Sequence, residues 1–183
     1  MANLRLKEVF ILKTILRFLL KPLSFLPALC MMYLIFSFSA QPGTVSGSLS
    51  YQVSEIIVES ANEAFELHWS GSEVAHYADH IHHTVRKLAH VTEYFLLAMS
   101  VSFPLYVYGI RGLWLPLLAG IFCVGFAGLD EYHQSFVAGR GPSVRDVCID
   151  GIGVFIGIVI VQFFCFLGRV TIFRPLAKKK RKK

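Results

Sequence analysis

The chain has 183 residues, of which 55% are hydrophobic and 16% are charged, whereas about 25% are charged in an ordinary soluble domain. Its mean hydropathy is +0.57. The apolar residues form four uncharged runs, at 23–39, 94–110, 112–129 and 151–168. Each run approaches the ~20 residues that a membrane-spanning helix needs. The composition therefore excludes a soluble enzyme, a disordered chain and a disulfide-stapled secreted module.

The N-terminal arm, residues 4–21, alternates apolar and basic residues, and the last basic residues recur every four positions up to Lys21. This spacing predicts an amphipathic helix that lies in the inner membrane interface. Pro22 is expected to break that helix, and the first span is predicted at about 23–40.

A cleaved signal peptide is the alternative for the first span. A basic arm precedes the apolar run, and Ser37-Phe38-Ser39 resembles a weak cleavage site. However, the run is longer than the usual signal core of about 7–15 residues, and Pro27 interrupts it. We therefore predict that the span is retained.

The segment 41–86 is the sizeable water-facing region. Its first part, 41–50, is rich in Ser and Gly and is predicted to be a loop. Apolar residues at helical spacing predict a helix over 51–67. A second helix is predicted to begin near Ser72 and to continue without interruption into the second span.

Histidines are concentrated in the second of these helices, at His76, His80, His82 and His83. Three of them could share one helix face, which is a spacing that zinc sites use. Since no HExxH or comparable pattern is present, we predict a hydrophilic or pH-responsive helix with no metal and no cofactor. A metal site is the alternative.

The remaining spans are predicted at about 88–110, 112–129 and 148–168, with a link so short at 109–112 that the second and third spans form a hairpin. A basic tail, 169–183, follows. Of the 18 Lys and Arg residues, 14 fall on the side of both termini, and short basic loops stay in the cytoplasm. The sequence predicts a single all-α, four-span domain in a plasma membrane with both termini cytoplasmic.

Polar residues that interrupt the membrane pattern all fall near the outer ends of spans two, three and four. Arg86, His90 and Glu93 share one helix face, and Asp150 lies one turn after Asp146. Even on a lenient scale, a charge at the bilayer centre costs about 2.5–3.5 kcal/mol. We therefore predict that these side chains pair with one another or face a water-filled pocket. The predicted ligand-binding set is Arg86, Lys87, His90, Glu93, Tyr94, Asp130, Glu131, Gln134, Arg140, Asp146 and Asp150.

This cluster supports two interpretations. It can be a polar network that only clamps the helices, or a binding or catalytic site. In a catalytic site, the acid–base candidates are Glu93, Asp130, Glu131 and His90, and Arg140 is among the cations that could hold a phosphate or carboxylate.

Three runs carry a resemblance to a known family: RKLAHVTEYFLLA (86–98), LDEYHQSFVAGR (129–140) and RDVCIDGIGVFIG (145–157). Together with FSFSAQP (36–42), they resemble the VanZ-like family of small membrane proteins. The positions that match the family pattern are Lys87, His90, Glu93, Tyr94, Asp130, Glu131, Gln134, Arg140, Asp146 and Gly153. The chain departs from the pattern at Asp150, where Asn is expected. The resemblance implies a bacterial envelope protein associated with resistance to the glycopeptide teicoplanin.

Several functions remain open. The protein could lower susceptibility to lipid-tailed glycopeptides, or act as an enzyme on a lipid-linked envelope substrate with Glu93 or Asp130 as the base and Arg140 as the anion clamp. A proton pathway is less favoured, because the inner halves of the spans are nearly apolar. A structural or partner-binding role, with Gly153 and Gly157 facing another protein, is also possible. The expected partners are the bilayer and a lipid-linked envelope component or lipoglycopeptide, and not nucleic acid.

Overall fold

A computed structural model describes residues 21–171, which form five helices and no strand. The helices are α1 (Leu26–Ser39), α2 (Gly43–Ala64), α3 (Gly71–Val107), α4 (Trp114–Gln134) and α5 (Val144–Thr171). Four helices are long and apolar enough to cross a membrane: Lys21–Ser39, which includes α1, and then α3, α4 and Val144–Arg169 of α5. The all-α, four-span architecture is therefore confirmed. Apart from Lys21 and the last turn of α5, the predicted interfacial helix and the basic tail lie outside the described residues.

The long helix α3 is the element against which the others pack. It has 37 residues and is therefore about 55 Å long at ~1.5 Å per residue. Its start at Gly71 and its unbroken course into the apolar run confirm the predicted continuous helix. A turn over 108–113, with Gly109 at φ 97° and Gly112 at φ 63°, reverses the chain into α4 and forms the expected hairpin.

Glycines on α5 bring that helix against α3. A Cβ atom added to Gly153 would collide with the carbonyl oxygen of Val91, and one added to Gly157 would lie 2.6 Å from the carbonyl oxygen of Phe95. Small residues at this spacing allow two helix backbones to approach closely. The predicted close approach is therefore made to α3 of the same chain, so these two glycines are not free to face another protein.

The apolar core joins all four spans. Ile35 of α1, Tyr94 and Leu97 of α3, Cys123 of α4 and Val154 of α5 are buried in one cluster. Because Ile35 has no exposed surface, the first span is part of the bundle core. This packing favours retention of the span over its removal as a signal peptide.

The prediction of a loop over 41–50 was wrong, because α2 begins at Gly43. The hydroxyl of Ser50 donates to the Ser46 carbonyl at 2.8 Å, and that of Ser54 donates to the Ser50 carbonyl at 2.7 Å. These bonds satisfy the serine hydroxyls within the helix. Their small side chains are buried on the helix face that meets α3. Tertiary packing therefore overrides the weak helix propensity of this serine-rich segment.

Farther along, α2 and the start of α3 form a separate helical hairpin. Val58 of α2 packs on Val74 and Ala78 of α3. The start of α3 is fixed by a capping box in which Ser70 and Glu73 exchange hydrogen bonds. The helix predicted over 51–67 ends at Ala64, where the chain turns through Glu66 at φ 50°.

Candidate functional site

The site lies at one end of the bundle because of the up-and-down course of the spans. Helices α1 and α4 end at this level, α5 begins there, and α3 passes through it at residues 86–94. The loop 135–143 closes the same end, and its Ala138 carbonyl accepts a hydrogen bond from the backbone N–H of Gly43 at 3.0 Å. This topology brings together side chains from four helices and one loop.

A chain of hydrogen bonds, buried at Asp130, forms the floor of the site. Asp130 Oδ2 accepts hydrogen bonds from Ser39 Oγ at 2.7 Å and from Gln134 Nε2 at 2.9 Å. The Gln134 Oε1 atom in turn accepts from Arg140 Nη1 at 2.9 Å. Arg140 Nη2 donates to the carbonyl oxygen of Phe38 at 3.1 Å. The chain therefore links the ends of α1 and α4 to the loop.

The Arg140 guanidinium lies near charged groups of both signs. Burial lowers its pKa, and the nearby positive charge of Arg86 lowers it further, whereas the carboxylates of Asp130 and Glu131 raise it. Arginine nevertheless stays protonated in proteins. Its Nε atom is buried without a hydrogen-bond partner among the described residues. Arg140 thus places a fixed positive charge within the site.

His90 lies between two carboxylates on the side of the site formed by α3 and α5. Its Nδ1 atom is 3.8 Å from Glu93 Oε2 and 3.9 Å from Asp150 Oδ1. Asp150 is only 4% exposed, and its Oδ1 atom has no hydrogen-bond partner within residues 21–171. Because an unpaired buried polar atom is costly, this arrangement is typical of a group that bonds to a ligand or moves a proton.

Glu131 holds the start of α5. Its Oε1 atom accepts a hydrogen bond of 2.6 Å from the backbone N–H of Ser143. The Ser143 hydroxyl then accepts from the backbone N–H of Asp146 at 3.3 Å. The carboxylate of α4 and the first turn of α5 are therefore joined, which fixes the position of Asp146 at the edge of the site.

A cleft of about 230 Å³ opens above these groups. Eight of the predicted ligand-binding residues line it: Arg86, Lys87, His90, Glu131, Gln134, Arg140, Asp146 and Asp150. Glu93 instead lines an adjacent groove. Asp130 and Tyr94 lie below the surface, and Tyr94 is part of the apolar core with a hydroxyl that has no partner in the described part of the chain. The structure therefore gathers nine of the eleven residues around two adjoining spaces, with Asp130 beneath them.

Sequence reasoning missed two serines of the site. Ser39 was not predicted as a site residue, yet it donates to Asp130. Ser143 was not considered, yet it links Glu131 to α5. The run FSFSAQP, which takes part in the family resemblance, was the signal that could have identified Ser39. Nothing in the sequence pattern distinguishes Ser143 from other loop serines.

The clustered histidines of α3 do not come together as a metal site in the described structure. The rings of His76 and His80 are 4.7 Å apart, and those of His82 and His83 are 4.1 Å apart. His82 Nδ1 lies 2.6 Å from the Asp79 carbonyl oxygen. Within residues 21–171, no three His, Cys, Asp or Glu residues are grouped so that they could hold a metal ion.

Comparison with known proteins finds one family model that matches the chain, but no individual relative. The family model described as VanZ/LLP1 matches residues 24–166. The match includes α1 to α4, α5 as far as Phe166, the loop 135–143 and every residue of the site. Neither a curated protein nor a solved structure matches the chain.

Proposed function

Because the chain belongs to the VanZ/LLP1 family, we propose that it lowers the susceptibility of a bacterial cell to lipid-tailed glycopeptide antibiotics such as teicoplanin. It does so from the plasma membrane, through the polar site, with both termini in the cytoplasm. Most basic residues fall on the side of the termini, and this bias supports an orientation with the site toward the outside. Glycopeptides act on cell-wall precursors in the same compartment.

The observation that carries the proposal is the set of ionisable side chains enclosed at one end of the spans. Asp130 and Asp150 are both buried, and Asp150 retains an oxygen without a hydrogen bond in the described part of the chain. Ionisable groups inside membrane proteins are costly and are functional candidates by default. A polar network that only held the helices together would favour a hydrogen bond for every buried polar atom. Asp150 Oδ1 makes no such bond within the described residues.

The experiment compares a strain that lacks the gene with the same strain carrying the wild-type gene. The proposal expects the deletion to increase susceptibility to teicoplanin, and the wild-type gene to restore tolerance. A glycopeptide without a lipid tail is the matched control, and its inhibitory concentration is expected to change much less. Unchanged teicoplanin susceptibility in the deletion strain would contradict the proposal.

A second candidate is an enzyme that acts on a lipid-linked envelope substrate, and the surroundings of Glu93 favour it. The Asp130 carboxylate is already bonded to Ser39 and Gln134. Glu93 has the ring of His90 as its close titratable neighbour, with Nδ1 3.8 Å from Glu93 Oε2. Glu93 is therefore the better candidate for a general base, with Arg140 as the anion clamp.

The substitution Glu93→Gln tests this enzyme, because it keeps the shape of the side chain and removes its basicity. Loss of glycopeptide tolerance at normal abundance in the membrane supports an acid–base role. Glu59→Gln is the matched control, because Glu59 lies on the hairpin that α2 forms with the start of α3, away from the cleft. If Glu93→Gln inserts normally and tolerance is undiminished, Glu93 is not the base.

A further inference from the structure

The polar cleft continues into a second cavity of different character. This groove, of about 290 Å³, lies between the end of α1, the first half of α2 and α3. Most of the surface inside it is apolar and comes from side chains such as Leu49 and Val53 of α2 and Ala89 of α3, although Glu93 also lines it. The cleft and the groove share three lining residues: Arg86, His90 and Arg140. Every residue at the junction thus carries, or can carry, a positive charge.

The other wall of the cleft supplies acceptors. Glu131, Asp146 and Asp150 all line it. The Asp150 Oδ1 atom is buried and makes no hydrogen bond to residues 21–171. A molecule that fits this surface places an anion at the junction, N–H or O–H donors toward the carboxylates, and an apolar chain in the groove. Inorganic phosphate matches only the first of these features.

Exposed apolar side chains lie on the outer surface at the same level. Leu88 lies between Arg86 and His90 on α3 and is 59% exposed, and Val144, two residues before Asp146, is 82% exposed. On α4, Tyr132 is next to Glu131 and is 64% exposed. In a spanning bundle, such side chains contact acyl chains or the interface. The site therefore lies at a depth that a membrane lipid can reach.

We propose that the cleft and the groove together bind one phospholipid-like amphiphile, with its phosphate at Arg86, His90 and Arg140 and one of its chains along α2. Its headgroup donates hydrogen bonds to the carboxylates of the cleft. The inference rests on the proposed function, since it names the class of molecule that the same site holds. The bound molecule is a membrane component and not the antibiotic.

The test uses the purified full-length protein in an uncharged detergent and measures bound lipid by native mass spectrometry. The probe is dioctanoyl phosphatidylglycerol, which has a phosphate, hydroxyl donors and two chains. Dioctanoyl glycerol, which lacks phosphate, and inorganic phosphate, which lacks chains, are the competitors. We expect each competitor to bind at least about tenfold more weakly, because each loses either the charge-assisted bonds or the burial of the chain. Equal displacement by inorganic phosphate would show an anion site without a lipid.

Two variants probe the two halves of the site, and each has a neighbouring control. Arg86→Gln removes a charge from the junction, and Arg145→Gln removes an exposed charge that lines neither cavity. Ala89→Trp fills the groove, and Leu88→Trp places the same ring on the adjacent outer face. We expect the first member of each pair to weaken phosphatidylglycerol binding at least about tenfold and the controls to leave it unchanged.

Wild-type binding by both Arg86→Gln and Ala89→Trp would overturn the inference. If Ala89→Trp does not fold, Val53→Trp fills the groove from the exposed helix α2 and replaces it. Tight binding of teicoplanin in place of the phospholipid would also overturn it. If the lipid pattern holds while deletion of the gene leaves glycopeptide susceptibility unchanged, then the proposed function fails and the lipid site remains.

Discussion

Ser39 and Asp130 are 91 positions apart in the chain, yet their side chains share a buried hydrogen bond of 2.7 Å. The bond joins the last residue of α1 to the end of α4. The same carboxylate oxygen accepts a bond from Gln134, whose amide oxygen binds Arg140. The first span is therefore connected to the polar site through the Ser39 hydroxyl, in addition to the Phe38 carbonyl that accepts from Arg140.

Replacing Ser39 with Ala is expected to destabilise the protein. The change leaves the buried Asp130 carboxylate with one donor fewer, and removing a hydrogen bond to a charged group costs about 1.5–3 kcal/mol. We expect the midpoint of thermal denaturation in detergent to fall by several degrees. Ser37→Ala is the control, because Ser37 is half-buried and its hydroxyl donates to the Tyr33 carbonyl of its own helix. Equal effects of the two variants would contradict the role of the Asp130 contact.

Replacing Gly153 with Ala is expected to separate α5 from α3. The added methyl group would overlap the Val91 carbonyl, which belongs to a helix backbone and cannot move aside cheaply. We expect a loss of about 1–3 kcal/mol of stability, seen as lower yield and a lower denaturation midpoint. Gly151→Ala on the same helix meets no atom within 4 Å. That control is expected to be neutral or slightly stabilising, because Ala is the better helix former.

The parts of the fold that follow from local patterns could be predicted from the sequence. Four uncharged runs require four spans, and the cost of charges in lipid requires that Glu93, Asp130 and Asp150 gather away from acyl chains. The Gly153 and Gly157 spacing likewise predicts a close helix contact. These inferences need only the spacing of residues along the chain and the cost of placing charges in a lipid bilayer.

The remaining features depend on tertiary contacts that no local pattern encodes. Segment 43–50 is helical because its small serines pack against α3, although its composition is that of a loop. Ser39 and Ser143 belong to the site only because the fold places them beside Asp130 and Glu131. Likewise, His90 contacts Asp150 only because the glycines of α5 allow the two helices to approach.

Replacing Glu131 with Ala is expected to loosen the loop 135–143. The variant loses the acceptor for the Ser143 N–H at the start of α5, and a helix start without such partners frays. We expect faster hydrogen–deuterium exchange in this loop and the first turn of α5, by about tenfold for a loss of 1.4 kcal/mol. Glu131→Gln retains an oxygen at the same position and is expected to restore most of the protection. Exchange equal to the wild type in Glu131→Ala would show that another contact holds the loop.

Reporter fusions test the orientation of the chain. The distribution of basic residues predicts that both termini face the cytoplasm and that the α2–α3 turn at 65–70 faces outward. Alkaline phosphatase inserted at this turn is therefore expected to be active, because the enzyme requires the oxidising exterior. A fluorescent protein that folds only in the cytoplasm, fused after residue 183, is expected to fluoresce. The opposite pattern would place the site inside the cell and remove the support for a link to glycopeptides.

Replacing Asp150 with Asn tests whether the site uses the charge at this position, where the family resemblance leads us to expect Asn. The carboxylate is buried near Glu93, Asp130, Glu131 and Asp146, so the neutral amide avoids both the desolvation of a charge and repulsion among acids. We expect the free energy of unfolding to rise by about 1 kcal/mol, measured as a higher denaturation midpoint in detergent.

The control for this change is Asp79→Asn, since the Asp79 side chain is 72% exposed and lies on the hairpin away from the cleft. It is expected to alter stability by less than about 0.5 kcal/mol. Glycopeptide tolerance is expected to survive in Asp150→Asn, because the amide oxygen still accepts a hydrogen bond from a headgroup. If tolerance is lost while the protein is more stable, the negative charge of Asp150 takes part in the function, and an acid–base role for the pair with His90 is favoured.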